Sequence, residues 1–350
     1  MLVTYISGHG FGHMTRTCEV LREVRALAPS LHIAVVGTIP ESLIRAELTG
    51  PLLFRAVTTD VGLVQRDALV IDEPRTAERC RELDATWDGR VAAEVEFLGA
   101  SGARLVLGDI PPLAFAAAAR AGIRSVALGN FSWDWIYRHL SGRQPSLASI
   151  AQRAASAHRA VELLLELPFA GDLSSFPRRE RIGFVARRPR VDRPNARRRL
   201  GLDARPAVLV SFGGTGLPGL TREVLGRDVG LRFVFPDELG LDRLGVLGLT
   251  YPDVIGAVDA VLTKPGYGII SDAIGAGTRV VYTERGDFPE YPIMVREMPL
   301  HLACAHVGND DLRAGRVAGP IRRVLEQPMP ARPDLGGAGR AAARILAMIG

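Results

Sequence analysis

Short apolar runs alternate with helical patterns twice along this chain, and that rhythm limits the fold more than any other feature. "LVTYIS" (2–7), "HIAVVG" (32–37), "RLVLGD" (104–109) and "RSVALG" (124–129) are separated by helical spacing at 15–27, 40–48 and 112–122, with a further helix over 146–160. Parallel strands joined by helices produce this pattern. Proline, arginine and glycine interrupt it after "LLLELPF" (163–169), and it restarts with "AVLVSFGG" (207–214), "RFVFP" (232–236), "AVLTKPGYG" (260–268) and "RVVYTE" (279–284). The expectation is an α/β fold of two Rossmann-like parallel-sheet domains. Their bounds read as 1–170 for the first, 171–206 for a linker and the start of the second, and 207–335 for the second. Residues 336–350 read as a helix packing back on either half.

A chain of 350 residues with 47% apolar content can bury two cores. No apolar stretch approaches the ~20 residues of a membrane span, which leaves only peripheral membrane contact open. Cys18, Cys80 and Cys304 are an odd number without metal-ligand spacing, so a reducing, cytoplasmic setting is expected, with neither disulfides nor zinc. The net charge of +5 suits an acidic substrate such as a phosphate ester and equally a solvated arginine-rich surface. With 6% aromatic residues the chain lacks the interleaved pattern of a nucleic-acid binder. Lys264 is the single lysine among 43 basic residues, in a chain that otherwise uses arginine throughout.

"ISGHGFGHMTR" (6–16) stands between the first strand and first helix, at the strand edge where doubly wound sheets bind ligands. Gly8, Gly10 and Gly12 permit a sharp turn and close approach of a ligand to the backbone. A dinucleotide fingerprint fails, because histidine stands where the third small residue should pack. Histidines four apart in a turn do not converge on a metal. A structural turn or the seat of a general base remains. Asp109, ending its strand before "IPP", reads either as a helix N-cap or as the carboxylate orienting a loop histidine.

In the second half, the "SFGGTG" loop (211–216) can cradle a phosphate with Ser211 and its amides. "TKPGYGIISDAIGAG" (263–277) combines a strand end, Lys264, a turn at Gly266, Tyr267 and Gly268, and a helix beginning near Ile269, a credible diphosphate site. Asp272 stands one turn in, either to accept from a ribose or to complement the helix dipole. "ERGDFPEYP" (284–292) puts Asp287 and Glu290 in a proline-bounded loop at the same edge. Trp133 and Trp135 in "NFSWDWIY" (130–137) read as the cover of an acceptor pocket or as packing.

These motifs resemble the GT-B glycosyltransferases, in the branch that includes the bacterial enzyme adding N-acetylglucosamine to the lipid-linked peptidoglycan precursor. "SGHGFGHMTR", "GIRSVALGNFSWDWIY" and "KPGYGIISDAI…FPEYP" are similar to the glycosyltransferase-like N-terminal region of plant L-arabinokinases, in order over nearly the whole chain. The kinase domain of those proteins has no counterpart here. The resemblance implies two domains facing across a crevice, the nucleotide sugar on the C-terminal half and a hydroxyl acceptor, small or glycan- or lipid-linked, on the N-terminal half. It also implies no metal and no cofactor beyond the donor substrate, with a UDP-sugar favoured.

By the same resemblance His13 matches the general base and Asp109 its orienting acid, while His9 is an extra histidine. Ser211, Gly213 and Gly214 match the diphosphate loop, Gly268 and Ile269 the helix-start amides, Ser271 the serine of the same motif, Asp272 the ribose-binding acid, and Glu290 the donor-sugar loop. Many relatives have threonine at Ile269 and glutamate at Asp272. The implied chemistry is an inverting hexosyl or N-acetylhexosaminyl transfer. Two alternatives accompany it: an epimerase or hydrolase acting on a nucleotide sugar, and a non-catalytic nucleotide-sugar-binding regulatory module.

Overall fold

The computed structural model describes residues 1–213, 216–226 and 230–350. It divides into a first unit of residues 1–64, 72–185 and 334–350, and a second of residues 65–71 and 186–333, each built on one parallel sheet.

The first sheet comprises β1 (Leu2–Ile6), β2 (Ile33–Gly37), β3 (Leu53–Ala56), β4 (Leu105–Asp109), β5 (Ser125–Gly129), β6 (Leu163–Glu166) and β7 (Arg179–Arg181), in the order β3-β2-β1-β4-β5-β6-β7. Every residue of β1, β2, β4 and β5 is buried, which is why those strands read as continuous apolar runs rather than alternating ones. The chain winds outward from β1 to β3 and then crosses to β4, so β1 and β4 flank the switch point. Their register runs from Leu2 beside Leu105 to Ile6 beside Asp109. The loop after β1 and the acid ending β4 therefore emerge side by side.

The second sheet comprises β8 (Ala207–Ser211), β9 (Arg232–Val234), β10 (Ala260–Thr263), β11 (Arg279–Tyr282) and β12 (Cys304–His306), in the order β12-β11-β10-β8-β9. Its switch point lies between β8 and β10, where Ser211 stands beside Thr263.

Three local features differ in detail from the sequence reading, and a fourth, the C-terminal helix, is made more definite. The first helix starts at Phe11 rather than near residue 15, because Gly10 at φ 79° turns the chain directly into it, so His13 lies in its first turn. Residues 171–185 belong to the first unit. There Arg179–Arg181 pairs with β6 as an edge strand whose arginines discourage further pairing, and beyond it Arg193–Arg199 is a helix capped by Asp192. Residues 65–71 belong to the second unit because Ala68 and Leu69 enter its core. An Asx-type turn shapes that segment, with Asp67 Oδ1 accepting from the amides of Leu69 and Val70 at 2.7 and 2.9 Å, while Ala68 N donates to the Gly216 carbonyl at 3.1 Å. The C-terminal helix Gly337–Ile349 packs on the first unit, against Phe11–Leu27, and buries Ala341, Ala342 and Ile345. Among the described residues no helix is long and apolar enough to cross a membrane.

The start of that C-terminal helix fits tightly. A Cβ at Gly337 would stand 2.6, 2.7 and 2.8 Å from the carbonyl oxygens of Phe184, Gly183 and Ile182, whereas one at Gly339 meets nothing within 4 Å. Gly337→Ala is expected to destabilise by ~1–3 kcal/mol through overpacking, and Gly339→Ala to stabilise by ~0.5–1 kcal/mol as a helix-interior replacement. Urea unfolding of the two variants checks this, and equal effects would contradict the packing described.

Candidate active site

In the first unit the β1–β4 register and the early helix start bring His13 and Asp109 together, with His13 Nδ1 2.8 Å from Asp109 Oδ1. Asp109 is fully buried and also receives Arg16 through Nε at 2.7 Å and Nη2 at 2.5 Å, and Thr17 Oγ1 at 2.8 Å. Arg16 Nη1 continues to Asn130 Oδ1 at 2.8 Å. Burial alone would raise the Asp109 pKa, but the charges of Arg16 and His13 and their hydrogen bonds hold it down at about 2. Asp109 is thus a fixed anion, not a helix cap. The next residue, Ile110, has φ 62° although buried and β-branched, and it turns the chain away immediately after the acid.

His9 is held differently. Its Nδ1 accepts the Leu63 amide at 3.1 Å, so its hydrogen sits on Nε2 and the ring is a donor. Its ring is wedged against Gly62, at φ 65°, where a Cβ would come within 2.7 Å of the imidazole. Gly10 supplies the positive φ before the helix, and the Gly12 carbonyl accepts Thr15 Oγ1 at 3.2 Å. Trp133 is 1% exposed, packs edge-on to His9, and lies 6.3 Å from His13 between ring centroids. It is therefore packed beneath the loop rather than over an open pocket. Its indole N–H donates to Asp60 Oδ2 at 3.1 Å, and Ser7 Oγ donates to Asp60 Oδ1 at 2.9 Å. Burial pushes Asp60 up to about 6, against the opposing pull of His13 and these two donors.

In the second unit Ser211 Oγ is 2.7 Å from the Tyr251 hydroxyl, and Gly213 takes φ 74° in the loop that follows. Gly214 lies outside the described residues. Gly266 caps the helix Tyr267–Ala276, whose first internal bond runs from Ile270 N to the Gly266 carbonyl at 3.1 Å. The amide-bearing first turn at Tyr267, Gly268 and Ile269 is the positive end of that helix. Ser271 is buried and turned into the helix, donating to the Gly268 carbonyl at 3.0 Å. Asp272 does not stand open to a ribose: Oδ1 accepts the Arg187 amide at 3.0 Å, and Oδ2 accepts Arg187 Nε and Nη2 at 3.0 and 2.6 Å.

Lys264 follows β10, and among the described residues no carboxylate pairs with it. Burial and the neighbouring charge of Arg285 push its pKa down to about 7, with Asp67 opposing. Arg285 itself is buried, bonds the Pro265 carbonyl at 3.1 Å, lies over Phe288, and stands 3.7 Å from Glu290, the first residue of the helix Glu290–Glu297. Asp287 is exposed beside it.

The sequence reading did not single out Arg16, Thr17, Asp60, Asn130, Arg187, Tyr251 or Arg285. A signal existed for two of them, since Arg16 and Thr17 follow His13 at helical i+3 and i+4 spacing. Asp60 and Arg187 gave none, because their partners are 53 and 85 residues away in sequence.

No family model matches the chain. L-arabinokinase of Arabidopsis thaliana is 33% identical over 359 residues, which cover 98% of this chain; the chain spans about a third, 34%, of that relative's length. Among solved structures, Os79 from O. sativa in complex with UDP superposes with a TM-score of 0.61 at 16% identity, covering 99% of this chain and 94% of the other. The glycosyltransferase of kitacinnamycin gives 0.60 at 18% identity, covering 99% and 98%. A UDP-glucosyltransferase from Polygonum tinctorium gives 0.59 at 14% identity, covering 99% and 92%. This chain has the GT-B fold. Both likenesses cover 98–99% of this chain and so take in the two sheets and the loops after β1, β8, β10 and β11.

Lys264 gives the second unit a pH signature. An ordinary lysine keeps its proton up to 10.5, whereas folded Lys264 releases it at about 7. Between those values the unfolded chain binds the extra proton, so this group makes stability rise with pH across that window. Lys264→Met is expected to remove the rise, as read by urea melts at about pH 7 and about pH 10. A rise of equal size in the variant would show that Lys264 is not its source.

Proposed function

We propose that the chain is a metal-independent, inverting glycosyltransferase that moves a hexosyl or N-acetylhexosaminyl group from a nucleoside-diphosphate sugar, preferentially a UDP-sugar, to an acceptor hydroxyl. The observation that carries this reading is the His13–Asp109 contact at the switch point of the first sheet. With Nδ1–H directed at Asp109, Nε2 presents its lone pair as a base, whereas His9 spends its acceptor nitrogen on the Leu63 amide. His13 takes the acceptor proton as the hydroxyl oxygen attacks the anomeric carbon and the nucleoside diphosphate leaves. The second unit holds the nucleotide. The helix start at Gly266, Tyr267, Gly268 and Ile269 meets the diphosphate with its positive end, and Lys264 adds charge where negative charge develops. Ser211 and Gly213 belong to the same cradle, with Asp287 and Glu290 toward the donor sugar. Asp272 contributes to nucleotide binding through Arg187, whose guanidinium it orients.

One observation favours a second reading, that of a nucleotide-sugar-binding module without turnover. Arg16 Nη2 lies 3.1 Å from His13 Nδ1 and can donate to it, which would leave the hydrogen on Nε2 and the ring without basic function. The two readings differ in the ring's tautomer, which nitrogen-15 chemical shifts of His13 distinguish.

UDP is expected to stabilise the protein, by ~2.7 kcal/mol at about 100 times Kd. His13→Ala is expected to keep that stabilisation while kcat for sugar transfer falls by about 10²–10⁴-fold. Thermal melts across a panel of nucleoside diphosphates and product analysis with an acceptor panel make the two measurements. Unchanged melting with every nucleotide would overturn the donor site, and full activity in His13→Ala would overturn the base.

A further inference from the structure

Two carboxylates act on His13, Asp109 by direct contact and Asp60 through its field, with the Trp133 side chain bonded to Asp60 and packed beside His13, and they differ in what neutralises them. Asp109 receives the Arg16 guanidinium through two of its nitrogens, so acid and arginine together contribute no net charge beside the imidazole. Asp60 is 9% exposed, and among the described residues its hydrogen bonds come only from neutral donors, the Ser7 hydroxyl and the Trp133 indole. A proton taken up by His13 creates an imidazolium next to Arg16, whose Nη2 is 3.1 Å from the ring. Two cations at that separation in a buried setting repel strongly unless a further anion lies within reach.

We propose that Asp60 is that anion: it supplies the counter-charge for protonated His13, leaving Asp109 to orient the ring. Asp60 is then a positioning residue acting through its field and through the loop it pins, and the proposal rests on the transferase reading only where it concerns turnover. The geometry is specific. Thr59 Oγ1 donates to the Ile6 carbonyl at 3.1 Å and fixes the segment against the end of β1. The Ser7 hydroxyl that donates to Asp60 also accepts the His9 amide at 3.3 Å, so the glycine loop is tied to the same carboxylate. Trp133 completes the arrangement, with its N–H on Asp60 and its ring beside His13.

The other groups facing Asp60 do not supply this charge balance. Cys80, on the helix Glu73–Asp84, and Tyr137, on the helix Trp133–Ser141, are both pushed upward by burial and stay neutral. Arg90, on the helix Trp87–Ala100, is a cation within electrostatic reach of Asp60, but its guanidinium hydrogen-bonds the Thr58 carbonyl and makes no hydrogen bond to the carboxylate. Asp109 adds a like charge that pushes Asp60 further up. Asp60 therefore gains most from a positive His13 and loses its proton at about 6, below which the counter-charge disappears.

The test has one arm that needs no turnover. Carbon-13 NMR of the Asp60 carboxyl is expected to show a midpoint near 6 in the wild type, rising by about one pH unit in His13→Gln, where the opposing cation is gone. An unchanged midpoint overturns the proposal whatever the enzyme's activity. In the second arm Asp60→Asn is expected to lower kcat about tenfold, the rate equivalent of one pH unit of coupling, and to move the acid limb of the kcat profile to lower pH. Its KM for the nucleotide sugar stays within about twofold of the wild type. The Ser7 hydroxyl can turn to accept from the asparagine, and loss of a buried charge whose hydrogen-bond donors are all neutral should leave the variant at least as stable above about pH 7, which thermal unfolding checks. An acid limb at the wild-type position in Asp60→Asn also overturns the proposal. A wild type that shows the NMR coupling but transfers no sugar from any donor supports the charge pairing and overturns the transferase reading alone.

Discussion

The pairing of β1 with β4 is the constraint on which the first unit's chemistry depends. Ile6 stands beside Asp109 across that ladder, so the turn leaving β1 and the acid ending β4 share one edge. Gly10 converts the turn into a helix within a few residues, and the first helical turn then carries His13 onto the acid. A slip of one residue would send Asp109 to the opposite face of the sheet and leave His13 without its partner. Arg16 and Thr17 follow from the same helix, one turn later, and close the acid's remaining hydrogen-bonding capacity.

The second unit repeats the architectural device with different chemistry. Its switch point, between β8 and β10, gathers a hydroxyl pair at Ser211 and Tyr251, a helix start after Gly266, and the half-buried Lys264 with the buried Arg285, whose charge lowers the lysine's proton affinity. One unit concentrates carboxylates around a histidine; the other concentrates positive potential.

Much of this was legible in the sequence because parallel strands buried on both faces announce themselves as short apolar runs, and because glycine loops mark the turns between strand and helix. The positions of β1, β4, β5, β8, β10 and β11 follow from those two signals. Short edge strands did not: Leu53–Ala56 and Arg179–Arg181 are partly exposed and carry no apolar run. His13 and Asp109 were readable as a pair by resemblance and by strand-end position. Asp60 and Arg187 were not, since a polar residue in a loop becomes meaningful only when the fold supplies a partner from far along the chain. The arginine-rich run at 178–200 likewise reads as a linker by composition alone, yet its guanidinium groups are spent on Glu166, Asp259 and Asp272.

Ile110 extends these points to how the unit tolerates change. A buried, β-branched residue at φ 62° is an unfavourable backbone state, costing on the order of 1–3 kcal/mol, and only the packing around it keeps it there. Such a segment is the first to relax when its surroundings weaken. A substitution elsewhere in the first unit, far from any reacting group, can therefore loosen the aim of Asp109 well before it unfolds the protein. Loss of the charge arrangement around His13 would then be the earliest symptom of a general decline in packing.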